Sequence, residues 1–351
     1  FALITGSCGL VGSESSIFFS NKKYKILGID NNARKFFFGK DGDNSWVRNK
    51  LKRQLVNYKH YNIDIRNFKS LKKIFQKYKK KIKVIIHAAA QPSHDWAKNK
   101  PFIDFDINAK GTLNLLELTR IYCPGAPFIF MSTNKVYGDN PNKLKLYETK
   151  TRWELKKNDK NYKGLKENFS IDNATHSFFG VSKTYADLIV QEYGKNIGLK
   201  TVSFRGGCIT GPNHSGASLH GFLSYLVKES LGNKKYNLIG YKGKQVRDNI
   251  HSTDVVDFIA KFIKNPKIAS VYNIGGGYQN SISIIESFEK IENLTGLKMK
   301  YDYDDKARIG DHICYYSDLT KIKNDFDDWE VKKSLDYIFE DVYLSLKKSM
   351  K

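Results

Sequence analysis

Three glycines at three-residue spacing constrain the fold of this chain more than any other feature. They lie in the segment Ile4-Thr5-Gly6-Ser7-Cys8-Gly9-Leu10-Val11-Gly12, between an apolar strand pattern and a helical pattern. At such a turn the first glycine permits the tight bend, the second lets the backbone approach a pyrophosphate, and the third lets the helix pack closely on the strand. The sequence therefore predicts a dinucleotide-binding turn. Its residues are Gly6, Cys8, Gly9, Leu10, Val11 and Gly12.

An acidic residue at the expected distance supports this prediction. The apolar run at residues 24–29 ends at Asp30, and a carboxylate about twenty residues beyond the glycines bonds the adenosine ribose hydroxyls. A carboxylate in that place repels a 2′-phosphate, so NAD is favoured over NADP. The alternative is an ordinary glycine-rich turn between a strand and a helix.

The strong positive charge does not by itself indicate a nucleic-acid partner. The 351 residues carry a formal net charge of +23, but the excess is mostly lysine scattered along the chain. The one dense run, residues 77–81, is interpreted as the solvated end of a helix. A basic field would still attract an anionic nucleotide.

The cysteine pattern and the hydropathy of the chain indicate which cellular compartment it suits. The four cysteines, Cys8, Cys123, Cys208 and Cys314, stand far apart, which argues against a disulfide framework and a metal site and fits a reducing cytoplasm. No stretch approaches the roughly twenty apolar residues needed to span a bilayer, so no membrane partner is expected. The chain opens in a strand without a signal-like segment, and because it lacks an initiating Met we expect a few residues to precede it.

The fold class follows from apolar runs that alternate with helical patterns. After the first two strands, such runs lie at residues 58–63, 84–87, 128–131, 201–204 and 271–274, with helical patterns at 112–118 and 182–196. This alternation is typical of βαβ units. The predicted class is α/β: a doubly wound parallel sheet (Rossmann fold) with a smaller C-terminal substrate-binding lobe.

Two domains are predicted. Residues 1–205 form the dinucleotide-binding domain, and residues 206–351 form the substrate-binding lobe, with the chain returning to the sheet at about 250–277. A change to Gly, Pro, His and Asn at residues 206–214 marks the boundary. Residues 139–175 are polar and weakly periodic, and we interpret them as a loop inserted into the first domain near the substrate. A disordered surface insertion is the alternative.

Three further segments resemble the extended short-chain dehydrogenase/reductase family, the NAD-dependent epimerases and dehydratases of nucleotide sugars. They are residues 87–91, 132–138 and 179–183. The resemblance covers nearly the whole chain and implies bound NAD, with Asn108 supporting the active-site helix and adenine beside Asp64. The implied cofactor contacts outside the glycine turn are Asp30, Asn31, Asp64, Ile65, Ala88, Ala89, Ala90, Asn108 and Lys183.

Within this family, residues 133–139 and 243–248 look like the CDP-paratose 2-epimerases, also called CDP-tyvelose epimerases. The second segment supplies Arg247, whose planar guanidinium can grip a diphosphate, and Arg308 matches another family position near that group. A surface ion pair is the alternative for each arginine. The remaining implied substrate contacts are Gln91, Ser93, Asn134, Asn213 and Gln245. The resemblance also implies a homodimer or homotetramer.

The implied reaction needs a base, and the residue that usually supplies it is missing from this sequence. Members of the family remove a hydride to NAD while a base takes the hydroxyl proton, and then return the hydride to the other face. They use a Ser or Thr, a Tyr, and a Lys four residues after the Tyr. Thr133 and Lys183 fit, but Phe179 stands at the Tyr position, and losing a general base typically costs about 10²–10⁴-fold in rate.

Four explanations for Phe179 stay open: an engineered Tyr→Phe change, a natural branch with another base, turnover through Thr133 and water, or binding without catalysis. For a relocated base we single out His94, because imidazole titrates near neutrality and its loop follows a strand end. His176 is the reserve, and a non-catalytic contact is the alternative for both. Tyr185 is discounted, since its helical position faces elsewhere.

Sibling reactions on the same scaffold are the remaining alternatives. They are 4-epimerisation, 4,6-dehydration and reduction. Dehydration commonly uses an Asp-Glu pair after the active-site Thr, whereas Asn134 and Lys135 follow Thr133 here.

Overall fold

The computed structural model describes residues 1–216 and 221–350. Its largest sheet has seven strands. The strands are β1 (Ala2–Thr5), β2 (Ile26–Ile29), β3 (Tyr58–Tyr61), β4 (Val84–His87), β5 (Phe128–Thr133), β6 (Leu146–Glu148), β7 (Trp153–Leu155), β8 (Thr201–Gly206), β9 (Cys208–Thr210), β10 (Lys235–Ile239), β11 (Val246–His251), β12 (Ser270–Ile274), β13 (Ser281–Ser283), β14 (Lys300–Asp304) and β15 (Cys314–Tyr315). The large sheet has the order β12-β8-β5-β4-β1-β2-β3.

Helices separate most of these strands. They are α1 (Leu10–Asn21), α2 (Ala33–Phe38), α3 (Ser45–Gln54), α4 (Phe68–Tyr78), α5 (His94–Asn99), α6 (Pro101–Phe105), α7 (Gly111–Tyr122), α8 (Phe178–Ile197), α9 (Phe222–Leu231), α10 (Ser252–Lys264), α11 (Ile284–Thr295), α12 (Thr320–Asp325) and α13 (Leu335–Met350). A π-helical turn, Asp106–Lys110, joins α6 to α7. The predicted doubly wound α/β fold is confirmed.

The central strands are apolar because both faces of the sheet are covered. Every residue of β1, β2 and β4 is buried, as expected for parallel strands between two helix layers. Thr5, the last residue of β1, is in register with Ile29 and His87 at the ends of its neighbours. The residues that follow these strands therefore lie along one edge of the sheet, where open α/β sheets bind ligands.

The chain divides into two compact units. The first contains residues 1–133, 178–205 and 255–272, and the second contains residues 134–177, 206–254 and the chain from 273 onward. This grouping differs from the predicted boundary, because residues 139–175 do not belong to the first unit. The segment packs in the second unit instead, where Asn273 Nδ2 donates to Leu165 O at 2.7 Å and Leu165 N donates to Tyr316 O at 2.9 Å.

The second unit has its own sheets and cores. Strand β11 pairs with β9, β13 and β15, and β10 pairs with β14. The β6–β7 hairpin lies in the segment that we expected to be a loop, and Leu155 from β7 joins a buried cluster with Tyr137, Leu165 and Tyr315. Most of residues 139–175 is loop and turn, as expected. The hairpin was missed because the apolar residues of this segment are too widely spaced to show a strand period.

No helix among residues 1–216 and 221–350 is both long enough and apolar enough to cross a membrane.

Candidate active site

The glycine turn is closed so tightly that side chains at its first and third glycines would collide with backbone. Gly6 has φ +64°, and a Cβ there would lie 2.7 Å from Ala89 N. A Cβ on Gly12 would lie 2.0 Å from Gly6 O. Gly9 N donates to Gly6 O at 2.9 Å, and Gly9 caps α1 without a side chain. The first backbone amides of α1, including those of Leu10 and Val11, therefore start at a bare helix end that suits an anion.

Asp30 is fastened to the glycine turn by its carboxylate. Oδ2 accepts a hydrogen bond from Cys8 N at 2.9 Å, and Oδ1 accepts one from Asn32 N at 2.7 Å. Burial raises the pKa of Asp30, although the two backbone amides oppose this. Each carboxylate oxygen keeps a second lone pair that can accept from a ribose hydroxyl.

A pocket in the first unit brings together most of the predicted cofactor residues. Its lining includes Gly6, Gly9, Asp30, Asn31, Asp64, Ile65, Ala88, Ala89 and Ala90. Arg34 and Asn44 also line it, and the sequence reasoning missed both. The absence of room for a Cβ at the turn, together with the acid beside it, fits a dinucleotide. Asn108 and Lys183 are not among the lining residues.

Thr133, Phe179 and Lys183 come from β5 and α8 of the first unit. Phe179 is 7% exposed, and Lys183 follows one helical turn later. Lys183 Nζ donates to Met131 O at 2.7 Å and lies 4.1 Å from the centroid of the Phe130 ring. Burial lowers the pKa of Lys183 to about 7, so this amine is easily neutralised.

Asn108 ties the loop after β4 to α8. Its Oδ1 accepts from Gln91 N at 2.9 Å, and its Nδ2 lies 3.0 Å from Gln91 O and 3.1 Å from Ser182 Oγ. Asn108 occupies the π-helical turn, a feature that is frequent at functional sites. The buried Asn108 side chain therefore links the loop after β4 to the first turn of α8.

The structure gives Gln91 and Ser93 internal roles instead of the predicted substrate contacts. The Gln91 amide is fully buried and donates to Ser93 O at 2.9 Å and to Asp104 Oδ1 at 2.6 Å, while its Oε1 accepts from Ser93 N. Ser93 Oγ accepts from Trp96 N at 3.2 Å and caps α5. The hydrogen-bonding groups of the Gln91 side chain are therefore used inside the protein, and Ser93 is buried.

His94 lies against the ring that replaces the family Tyr. The ring centroids of His94 and Phe179 are 5.0 Å apart, with 60° between the ring planes. By contrast, Tyr185 is 37% exposed and its ring contacts Phe105, in agreement with its different helical face.

A buried ion pair joins α8 to strand β8. Arg205 Nη2 donates to Asp187 Oδ1 at 2.9 Å, and its Nε donates to Oδ2 at 3.2 Å. Ser132 Oγ, next to Thr133, donates to the same carboxylate at 2.5 Å. The pair therefore fixes the end of β5 against α8.

In the second unit, two cations share one carboxylate. Arg247 Nη2 donates to Asp311 Oδ1 at 2.6 Å, and Lys135 Nζ donates to the same oxygen at 2.8 Å. Both cationic side chains are 12% exposed, and burial lowers the pKa of Lys135 although Asp311 opposes this. The cluster carries a net positive charge and can accept a second anion.

The other predicted site residues of the second unit differ in burial and in hydrogen bonding. Asn134, Asn213 and Gln245 are buried, and Gln245 Nε2 donates to Ile239 O at 2.9 Å, whereas Arg308 is half-buried. His176 has both ring nitrogens on backbone carbonyls, with Nε2 2.8 Å from Val136 O and Nδ1 3.2 Å from Ala174 O. A ring held in this way is poorly placed to exchange protons with a ligand.

Comparison with known proteins supplies the family. Residues 2–275 match the family described as the NAD-dependent epimerase/dehydratase family. The chain belongs to this family. Its cofactor is NAD.

Two curated relatives of this epimerase/dehydratase align over nearly their whole length. The chain is 32% identical to the CDP-paratose 2-epimerase of Salmonella typhi over 339 residues, which cover 95% of each protein. It is 28% identical to the UDP-glucuronate 4-epimerase of Thermodesulfobacterium geofontis over 338 residues, which cover 96% of the chain and 93% of the relative.

Among solved structures, this chain is similar to the dTDP-glucose 4,6-dehydratase of Bacillus anthracis in complex with NAD. The TM-score is 0.75 at 26% identity, and the match covers 99% of this chain and 96% of that protein. The UDP-glucose 4-epimerase of Thermus thermophilus in complex with NAD gives a TM-score of 0.78 at 20% identity and covers 99% and 98%; it is evidence of the shared fold alone.

Several polar residues in the candidate sites of the two units were not found by the sequence reasoning. Asp104, Asp187 and Arg205 are buried polar residues whose partners lie far away in the chain, so no local pattern marks them. Lys135 lies inside segment 133–139, which carries the resemblance, and Asp311 follows the expected diphosphate contact Arg308 closely in sequence. Their opposite charges at these two places were a usable signal.

Proposed function

We propose that this protein is an NAD-dependent epimerase of a nucleotide sugar, and that it inverts C2 of a CDP-linked dideoxyhexose such as CDP-paratose or CDP-tyvelose. The observation that supports this most is the 32% identity to a CDP-paratose 2-epimerase over 95% of both proteins. The segments 133–139 and 243–248, which resemble those enzymes, include groups at the candidate sites of both units.

The chemistry requires a reversible oxidation, because the inverted carbon has no acidic proton. When bound, NAD supplies a hydride acceptor that can return the hydride to the opposite face. Thr133, at the end of β5, binds the reacting oxygen in this proposal. Lys183 orients the nicotinamide ribose, and the buried Arg205–Asp187 pair keeps β5 and α8 in place for both residues.

The nucleotide diphosphate binds, in this proposal, to the cationic cluster of the second unit. Two cations on one carboxylate leave a net positive charge, and the planar guanidinium of Arg247 suits paired phosphate oxygens. Arg308 is a further contact to this group. The chain-wide excess of positive charge, +23, adds a favourable field for such a dianion.

A second candidate function is a nucleotide-sugar-binding protein without turnover. The observation that favours it is Phe179, which has no ionisable group where the family carries Tyr. A 4,6-dehydratase is disfavoured, since Asn134 and Lys135 replace the acidic pair that such enzymes place after the Thr.

The protein also acts, in this proposal, as a homodimer or homotetramer. Helices α6 and α8 of the first unit leave several apolar side chains exposed. They are Phe102, Phe105, Val181, Tyr185 and Leu188. Exposed apolar side chains grouped on neighbouring helices are typical of a protein–protein interface. A second copy of the chain would cover them. Light scattering should give at least twice the chain mass of 40.3 kDa, and a monomer mass would contradict this proposal.

A panel of nucleotide sugars tests the function. Purified protein is incubated with CDP-paratose, UDP-glucuronate, UDP-glucose or dTDP-glucose, and the anomeric proton signals are followed by NMR. We expect a new epimer from CDP-paratose and a flat absorbance at the reduced-nicotinamide band. Conversion of a UDP-sugar alone would show that the substrate is a UDP-sugar and not a CDP-sugar. Conversion of none of the sugars would favour a protein that binds nucleotide sugars without turnover.

The Arg247→Gln variant tests the diphosphate contact separately. Losing hydrogen bonds to a charged group costs about 1.5–3 kcal/mol, so CDP affinity measured by calorimetry should fall about 10- to 100-fold. NAD affinity should stay unchanged. Arg120→Gln is the matched control, because Arg120 forms a surface pair with Glu117. Equal CDP affinities of the two variants would contradict the assignment of Arg247.

A further inference from the structure

The ring of Phe179 leaves the proposed epimerase without a proton acceptor at the usual position, although the side chains around that position are retained. We propose that His94 is the general base of this enzyme and that its Nε2 accepts the proton of the reacting sugar hydroxyl. This assignment rests on the proposed function. It names a catalytic residue that the family pattern does not supply.

Direct ring contact is the first observation for this assignment. The imidazole of His94 packs on the ring of Phe179 with 5.0 Å between the centroids. The imidazole of His94 therefore contacts the ring that occupies the position of the family Tyr. Nδ1 is buried, so we assign proton transfer to the other nitrogen, Nε2.

The second observation is that the backbone on both sides of this contact is fixed. Asn108 bonds both the N–H and the C=O of Gln91, three residues before His94, and its Nδ2 also reaches Ser182 Oγ. Ser182 Oγ in turn donates to Phe179 O at 3.1 Å. One buried amide thus sets the loop before α5 against the first turn of α8, so the distance between His94 and Phe179 is built in.

The third observation concerns α5 itself. Ser93 caps the helix by accepting from Trp96 N, and Ser93 N is held by Gln91 Oε1. His94 is therefore the first residue of a short helix whose start is fixed by two side chains. A catalytic base needs this kind of support, because small errors in its position lower the rate steeply.

The proton balance closes within one turnover. Neutral His94 takes the hydroxyl proton as the carbon is oxidised to the ketone, which leaves an imidazolium. The same proton returns to the oxygen when the carbon is reduced on its other face. No proton and no electron pair is gained or lost overall, so the reaction needs no added oxidant or reductant.

Other groups fit this role less well. His176 uses both ring nitrogens on backbone carbonyls, and Tyr185 faces Phe105 on the outer side of α8. Lys183 donates to Met131 O and packs on Phe130, and the proposed function already assigns its amine to the nicotinamide ribose. Of these four side chains, His94 is the one that combines a titratable nitrogen with ring contact to Phe179.

The decisive experiment combines two substitutions in the NAD-loaded protein. His94→Gln should lower kcat on CDP-paratose by about 10²–10⁴-fold, the usual effect of losing a general base, with little change in KM. NAD and CDP affinities measured by calorimetry should stay at the wild-type values, which excludes misfolding. Adding Phe179→Tyr to His94→Gln should restore part of the lost turnover, which a merely structural role of His94 would not permit.

The pH profile provides the second readout. Wild-type kcat/KM should fall as pH decreases through the pKa of His94, and His94→Gln should lose this acidic limb. Helices α6 and α8, which pack against α5, carry Asp104 and Lys183, so the limb also reflects their charges. His176→Gln is the matched control and should keep the wild-type profile. A titration of the His94 imidazole followed by nitrogen-15 NMR should give the same midpoint without any turnover.

Each outcome decides between the two proposals. If His94→Gln keeps wild-type turnover and its acidic limb, the assignment of His94 is overturned while the epimerase proposal stands. If the wild type binds NAD but converts none of the sugars, the proposed function is overturned and the base assignment falls with it.

Discussion

The glycine turn and the neighbourhood of Phe179 belong to the same unit but respond differently to sequence change. At the turn, backbone shape makes the site: a Cβ at Gly12 would lie 2.0 Å from Gly6 O. At Phe179 the site depends on the chemistry of one side chain, and that chemistry has changed while the ring and its surroundings remain. A site built from the backbone is therefore marked by its local motif, whereas the base that we propose for the second region lies on a neighbour that is distant in sequence.

Gly12→Ala should have the largest effect, because it breaks the backbone-built region. The added methyl group collides with Gly6 O, so either α1 moves or the turn opens, and we expect no measurable NAD binding by calorimetry. Gly125→Ala is the control, since a Cβ there meets nothing within 4 Å. NAD affinity in Gly12→Ala close to that of Gly125→Ala would show that the turn does not hold the cofactor.

Asp187→Ala should remove the buried ion pair that holds β5 against α8 near Phe179. It leaves the buried guanidinium of Arg205 without its carboxylate, and removing one member of a buried pair costs about 3–5 kcal/mol in unfolding free energy. Asp302→Asn, at the exposed Lys235 pair, should cost about 1 kcal/mol or less. Urea unfolding measures both, and similar losses would contradict the importance of burial.

Lys183→Met should change how the unfolding free energy of the protein depends on pH. Burial lowers the pKa of Lys183 to about 7 from an ordinary value of 10.5, so above pH 7 the unfolded chain binds more protons than the folded one. The wild type should therefore gain stability relative to the variant as pH rises from 7 toward 10. Urea unfolding of both proteins stripped of NAD tests this, and parallel pH curves would contradict it.

Phe179→Tyr should have the smallest effect. If the base is His94, the restored hydroxyl adds nothing essential, and turnover should change by less than about tenfold, or 1.4 kcal/mol in the barrier. A buried hydroxyl that fails to find a partner would cost about 1–3 kcal/mol of stability. A gain in turnover of two orders of magnitude would instead identify the wild type as a disabled enzyme.

The sheet and its turn could be predicted from the sequence because their signals are local. The strand at residues 84–87 has the predicted bounds, and the parallel α/β class followed from the alternation of patterns. The division into units could not be predicted, because residues 134–177 are fixed by partners beyond residue 240, such as Asn273 and Tyr316. Sequence spacing does not reveal such contacts.

Prediction of the site had the same limit. Asp30 was visible from its distance to the glycines, whereas the amide network of Gln91 and Asn108 arises from long-range packing. Gln91 was accordingly assigned to substrate although its amide is used inside the protein. His94 was a candidate from residue type and loop position, and its contact with Phe179 required the fold.

The central claim is that this chain, with Phe179, epimerises a nucleotide sugar by reversible oxidation. It is tested most directly by proton NMR of the NAD-loaded wild type with CDP-paratose in deuterium oxide. We predict that the C2 epimer appears with hydrogen retained at C2, because the hydride leaves and returns within the site, and that reduced nicotinamide does not accumulate. Deuterium at C2, or no conversion by protein that holds NAD, would contradict the account.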